Sequence, residues 1–168
     1  MIRPASAPGH SVRPFDHGLF IAAGLSFGSG LIHVQATFSH LDEYVPFSVA
    51  FTVVAVLQFV WGAAVYRSPA RTLLGAGAAL SLGVAAVWAA SRTSGLPVGP
   101  EPWEREPVGL ADVIATGDEV VLCVLVLLHF MARAGRAVPR TLDGAAAALG
   151  VSLLSLSSLS FMFGDHAH

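Results

Sequence analysis

Two histidines and two carboxylic acids recur at one spacing in this sequence. His33 and His40 lie seven residues apart in GLIHVQATFSHLDEY (30–44), and Asp112 and Glu119 lie seven apart in ADVIATGDEV (111–120). On an α-helix seven residues turn through about 700° and rise about 10 Å, so each pair shares one face at two depths. Imidazole nitrogens and carboxylate oxygens together form a ligand set for Zn²⁺, Cu²⁺ or Fe²⁺. They are equally the partners of interhelical His–carboxyl hydrogen bonds, or the stations of a proton or small-ligand pathway. Asp118 adds a third carboxyl, turned by about 100° from Glu119. Ligands spread over about 10 Å of helix axis do not converge on one ion, so a metal would sit in one layer or in two separate sites.

Which chemistry applies depends on the solvent around these groups, and composition sets that. Of 168 residues, 54% are hydrophobic and 12% charged, against roughly 25% charged in soluble domains. Most side chains therefore never face water, and long apolar runs place the chain in the membrane class. A net charge of −2 with no basic cluster excludes a phosphate-gripping nucleic-acid binder. Cys123 is the single cysteine, which excludes an intrachain disulfide, a CxxC ribbon and a CxxCH haem attachment. All nine cationic residues are arginine, so a retinal Schiff base and a lysine nucleophile are excluded as well.

Five apolar runs have the length of about 20 residues that a roughly 30 Å hydrocarbon core demands. They fall near 17–39, 46–66, 71–91, 110–133 and 142–163, between an N-terminal tail (1–16) and a His-containing C-terminal tail (164–168). The first run has no small-residue cleavage site and is expected to be a retained helix. Arginine placement orients the spans. Arg3, Arg13, Arg67, Arg71, Arg133, Arg136 and Arg140 fall on one side, and only Arg92 and Arg105 on the other. By the positive-inside rule the N-terminus is cytoplasmic and the C-terminus extracytoplasmic. The first helix then runs outward and the fourth inward. His33 shares a depth with Glu119, and His40 shares the outer boundary with Asp112.

The supporting residues follow from that frame. Small residues at Gly24 and Gly28, and at Gly75, Ala79, Gly83 and Ala86, offer close backbone approach within the bundle or to a second copy. Arg92 ends the third span at the outer face, where it can clamp Asp112. Gln58 in the second span is expected to supply an interhelical hydrogen bond. The serines of SLLSLSSLS (152–160) can satisfy themselves on their own helix carbonyls. The loop SRTSGLPVGPEPWEREPVGLAD (91–112) is either a binding lid or an acidic surface loop with Trp103 at headgroup level. His166 and His168 form a short terminal tract with weaker metal-binding potential. Bis-histidine haem is not expected, because His33 and His129 differ by roughly 15 Å in depth and only His17 could partner His129.

At GLIHVQATFSHLDEY and the 91–112 loop the chain resembles a group of small uncharacterised multipass membrane proteins of high-GC Gram-positive bacteria. The resemblance rests on His33, His40, Arg92, Gly95, Pro97 and Asp112. It implies an integral membrane protein and carries no activity with it. The expectation is thus an all-α integral bundle of five transmembrane helices in a bacterial plasma membrane. An outward-facing site of His33, His40, Asp112 and Glu119, with Asp118 secondary, would bind or handle a divalent metal. The alternative is a non-catalytic structural or accessory subunit of a homo-oligomer or larger membrane complex, its His–carboxyl pairs serving helix packing. No hydrolase, zincin, nucleotide-binding or dinucleotide motif is present, so an enzyme ranks third.

Overall fold

A computed structural model of the protein describes residues 17–163, with side chains to Ser160. It contains five helices: α1 (His17–Ser39), α2 (Val45–Arg67), α3 (Arg71–Thr93), α4 (Leu110–Arg133) and α5 (Arg140–Phe163). All five are long and apolar enough to cross a membrane, and the described residues contain no strand. The termini differ from the hydropathy expectation by about two residues at most, because local chemistry marks them. Pro46 begins α2 within its first turn, where a missing N–H costs nothing. After α4, Gly135 takes a left-handed φ of 72°. Its N–H bonds the Ala132 carbonyl while Arg136 N–H bonds Met131, a pairing that closes the helix C-terminus.

α1 is the central helix, packing on α2, α4 and α5, while α3 packs on α4 and only lightly on α2. Two hydrophobic clusters divide the bundle along its length. The larger joins Leu19 and Leu25 of α1, Trp61 and Val65 of α2, Leu74 of α3, Leu122 and Leu125 of α4 and Ala146 of α5. These are the beginnings of the odd-numbered helices and the ends of the even ones, so neighbouring helices alternate in direction. The smaller cluster, Ile32, Ile114 and Ala115, lies toward the other end. Along α1 and α4 the buried polar residues Ser26, Ser29, Asp118 and Glu119 fall between the two.

Where two helices approach closely, a glycine accepts a large side chain. Phe59 of α2 covers Gly30, and Phe27 of α1 covers Gly62. Gly24 and Gly28 turn toward α5, against Leu154 and Ser157. Trp61 ties α2 to α3: its Nε1–H donates to the Leu73 carbonyl at 2.7 Å. Its indole lies where a Cβ on Gly77 would stand, at 2.0 Å. In contrast Gly75 and Gly83 have nothing within 4 Å of a built Cβ, and Ala79 and Ala86 are also exposed. The small-residue stripe of α3 therefore faces out of the bundle; the packing residue of that helix is Gly77.

Candidate functional site

Four side chains from three helices form the buried polar node: Ser29 and His33 of α1, Gln58 of α2 and Glu119 of α4. All are buried, with Glu119, Gln58 and Ser29 each 1% exposed. One helical turn separates Ser29 from His33, which aligns them on the face that α2 and α4 share. His33 Nδ1 lies 2.9 Å from the backbone carbonyl of Ser29 and 3.1 Å from Gln58 Oε1. The Gln58 Nε2 amide reaches Ser29 Oγ at 3.1 Å and Glu119 Oε1. Ser29 Oγ also donates to Glu119 Oε1 at 2.8 Å, and stands 3.5 Å from His33 Nδ1.

The sense of these bonds follows from one fixed partner. A backbone carbonyl only accepts, so Nδ1 of His33 carries the hydrogen. Gln58 then presents its carbonyl oxygen to His33, and its NH₂ must face Glu119, where a carboxyl oxygen accepts. The tautomer and the amide orientation are thus assigned by the network as a whole. Apart from the share of the Nδ1 hydrogen that goes to the Ser29 carbonyl, the side-chain hydrogens point from the histidine toward the carboxyl. The amide dipole of Gln58 has its negative end on His33 and its positive end on Glu119. Two atoms stay outside this pattern: Nε2 of His33, which the network does not use, and Oε2 of Glu119, buried without a hydrogen-bond partner among the described residues.

The expected pairing of His33 with the level of Glu119 is present in this geometry, with Ser29 Oγ as a single bridging atom. The second expected layer is not. His40 turns to Glu43 instead, with Nδ1 2.7 Å from Oε2, because three residues beyond it a carboxylate is already within reach at the exposed end of α1. Asp112 turns to Arg92, which donates from Nη2 at 2.6 Å, and it also caps α4 by accepting the Gly109 N–H at 3.1 Å. Arg92 bonds Glu106 as well, from Nη1 at 3.2 Å, and its guanidinium lies 5.9 Å from the Trp88 ring centroid. The clamp expected of Arg92 therefore ties the end of α3, the 94–109 loop and the start of α4 together.

Asp118 does not join the node. Its Oδ2 accepts the Ser157 hydroxyl of α5 at 2.6 Å beside Gly28, and its Oδ1 is buried without a partner among the described residues. Trp103 is 65% exposed at a positive φ of 66°, with its N–H on the Leu96 carbonyl. His166 and His168 lie outside the described residues. Sequence reasoning missed two features. Ser157 reaches its own helix carbonyl at Leu153, 3.0 Å away, as its neighbours reach theirs, so nothing local distinguishes its further bond to Asp118. Phe51 stands between the two histidine rings, 5.8 Å from His33 and 5.3 Å from His40 by centroid. The 33–40 spacing gave the histidine side of that stack but not its α2 member.

Among the described residues no three His, Cys, Asp or Glu side chains converge on one point. Structural zinc takes four protein ligands and catalytic zinc takes three, so the node offers a metal only two donors of those types. No family model, curated protein or solved structure matches this chain, and the node's own geometry is what a function must be read from.

Proposed function

We propose that this chain is a multipass protein of the bacterial plasma membrane whose His33–Gln58–Glu119 node binds and passes a proton. The observation that carries this reading is the uniform sense of the hydrogen bonds from His33 to Glu119, with one basic nitrogen and one carboxyl oxygen left over at the two ends. Ionisable groups at bilayer depth are costly and by default mark a proton or ion path. The neighbouring residues supply an approach. Glu43 and His40 stand at the exposed end of α1, and Thr37, one turn beyond His33 in sequence, holds its hydroxyl 3.3 Å from that of Thr52, each also bonded to a carbonyl of its own helix. The other titratable groups beside the node on α4 are Asp112, toward His33, and Asp118 and Cys123, toward Glu119.

The orientation belongs to the same proposal. With Arg67, Arg71, Arg133, Arg136 and Arg140 at the cytoplasmic surface, the N-terminus is inside and the Glu43–His40 approach opens outward. The outward-facing stripe of α3 is then available for a homo-oligomer or a larger membrane complex. A second reading, divalent metal binding, is favoured by the tethering of both donors. A ligating histidine donates its other nitrogen to a carbonyl, and a ligating carboxylate is itself hydrogen-bonded, as Nδ1 of His33 and Oε1 of Glu119 are. That reading requires further ligands from a partner or solvent.

Infrared difference spectra of the reconstituted protein between two external pH values separate these readings. Proton binding predicts a carboxyl C=O band that disappears in Glu119→Gln, persists in Asp118→Asn and shifts in Gln58→Leu. Stoichiometric Zn²⁺ or Cu²⁺ uptake lost in both His33→Ala and Glu119→Ala would replace it with the metal reading. A spectrum insensitive to pH, in a protein that takes up no metal, would leave the node as a helix-assembly device alone.

A further inference from the structure

At the arginine-rich end of the bundle a crevice of about 500 Å³ runs between α1, α2 and α5. Phe20 and Phe27 form one wall, Ala63 and Tyr66 a second and Leu154 the third, with Arg67 at its end. The walls open outward, since Phe20 is 52% and Tyr66 68% exposed. Glycines set the depth: a Cβ on Gly24 would stand 3.0 Å from Leu154 Cδ2, and one on Gly62 2.8 Å from the Phe27 ring. In a bilayer this apolar space is filled by an apolar group rather than by water. Its volume is that of a single-ligand cleft. A helix from a second chain, about 10 Å across with side chains, needs an open face rather than a crevice walled on three sides.

Charge defines the other half of the occupant. Arg67 is the last residue of α2, and its guanidinium makes one long hydrogen bond, 3.4 Å, to the Ala63 carbonyl. It has no ion pair among the described residues. Arg71, Arg133, Arg136 and Arg140 share that end of the bundle, against Asp143 as the only carboxylate there among the described residues. Tyr66 rests on Phe20, centroids 6.0 Å apart, in the position an interfacial tyrosine takes at headgroup level. We infer that the crevice holds one acyl chain of an anionic phospholipid, with its phosphate on Arg67. A basic side chain near the surface favours anionic over zwitterionic lipid by about fivefold.

The test is native mass spectrometry of the delipidated full chain, incubated with equal amounts of phosphatidylglycerol and phosphatidylethanolamine. The expected result is one retained lipid per chain with about fivefold preference for phosphatidylglycerol. Arg67→Gln, an exposed substitution, brings that preference close to one. Arg71→Gln, outside the lining, keeps it. Ala63→Trp fills the crevice and releases both lipids, with thermal unfolding run beside it to show that the variant is folded. Equal retention of the two lipids by the wild type, an unchanged preference in Arg67→Gln, or a second copy of the chain bound in place of lipid would overturn the inference. None of these outcomes bears on protonation of Glu119, so the two proposals fail separately.

Discussion

Replacing Gln58 by leucine removes the amide that joins three helices while keeping nearly the same volume. Three side-chain bonds go with it, to His33, Ser29 and Glu119. Interhelical hydrogen bonds in membranes average roughly 0.6 kcal/mol and reach about 1.7, so the loss lies between about 2 and 5 kcal/mol. The lower end applies. His33 Nδ1 keeps the Ser29 carbonyl at 2.9 Å and Glu119 keeps the Ser29 hydroxyl at 2.8 Å, so neither group is left bare. The prediction is a loss of about 2 kcal/mol in reversible unfolding from mixed micelles. Ser158→Ala is the control, because that hydroxyl bonds only its own helix, at the Leu154 carbonyl. If Gln58→Leu costs no more than Ser158→Ala, the node does not hold the bundle together and the directional argument built on it fails.

Other substitutions test the rest of the structure. Gly77→Ala places a methyl 2.0 Å from the Trp61 indole and should destabilise by roughly 1–3 kcal/mol through overpacking. Gly75→Ala, with nothing within 4 Å, should be neutral or stabilising by up to about 1 kcal/mol; the two thermal midpoints measured side by side decide this. Arg92→Lys loses the fork that reaches both Glu106 and Asp112, and hydrogen exchange should accelerate across 94–109 while α1 and α2 are unchanged. Ser157→Ala leaves Asp118 without the hydroxyl it accepts at 2.6 Å. It should lower the unfolding midpoint more than Ser155→Ala, whose hydroxyl bonds the Val151 carbonyl of its own helix.

The helices were legible because hydropathy reports the lipid-facing and core residues together, and Pro46, Gly135 and the arginines punctuate the runs. Depth was legible for His33 and Glu119, because alternating helices fix the level of each residue once the spans are known. What periodicity could not supply was the choice among partners at one level. His40 and Asp112 each had a nearer hydrogen-bond partner, Glu43 three residues on and Arg92 at the close of α3, and short reach prevailed over matched depth. The azimuth of α3 was equally hidden. Its small residues occur on two faces, and only the Trp61 indole of α2 selects the one containing Gly77. Ser157 illustrates the same limit, since it bonds along its own helix as its neighbours do and has no local pattern to mark its second bond across helices.

At the centre of the bundle a hydrogen-bond chain is directed from His33 through Gln58 to Glu119. It is tested most directly by ¹⁵N magnetic resonance of the His33 ring in protein reconstituted into lipid vesicles. The prediction is a protonated Nδ1 at every pH, an Nε2 resonance that responds to external pH, and loss of that response in Glu119→Gln. A ring that carries its hydrogen on Nε2 with Nδ1 bare, or an Nε2 resonance indifferent to external pH, would contradict it.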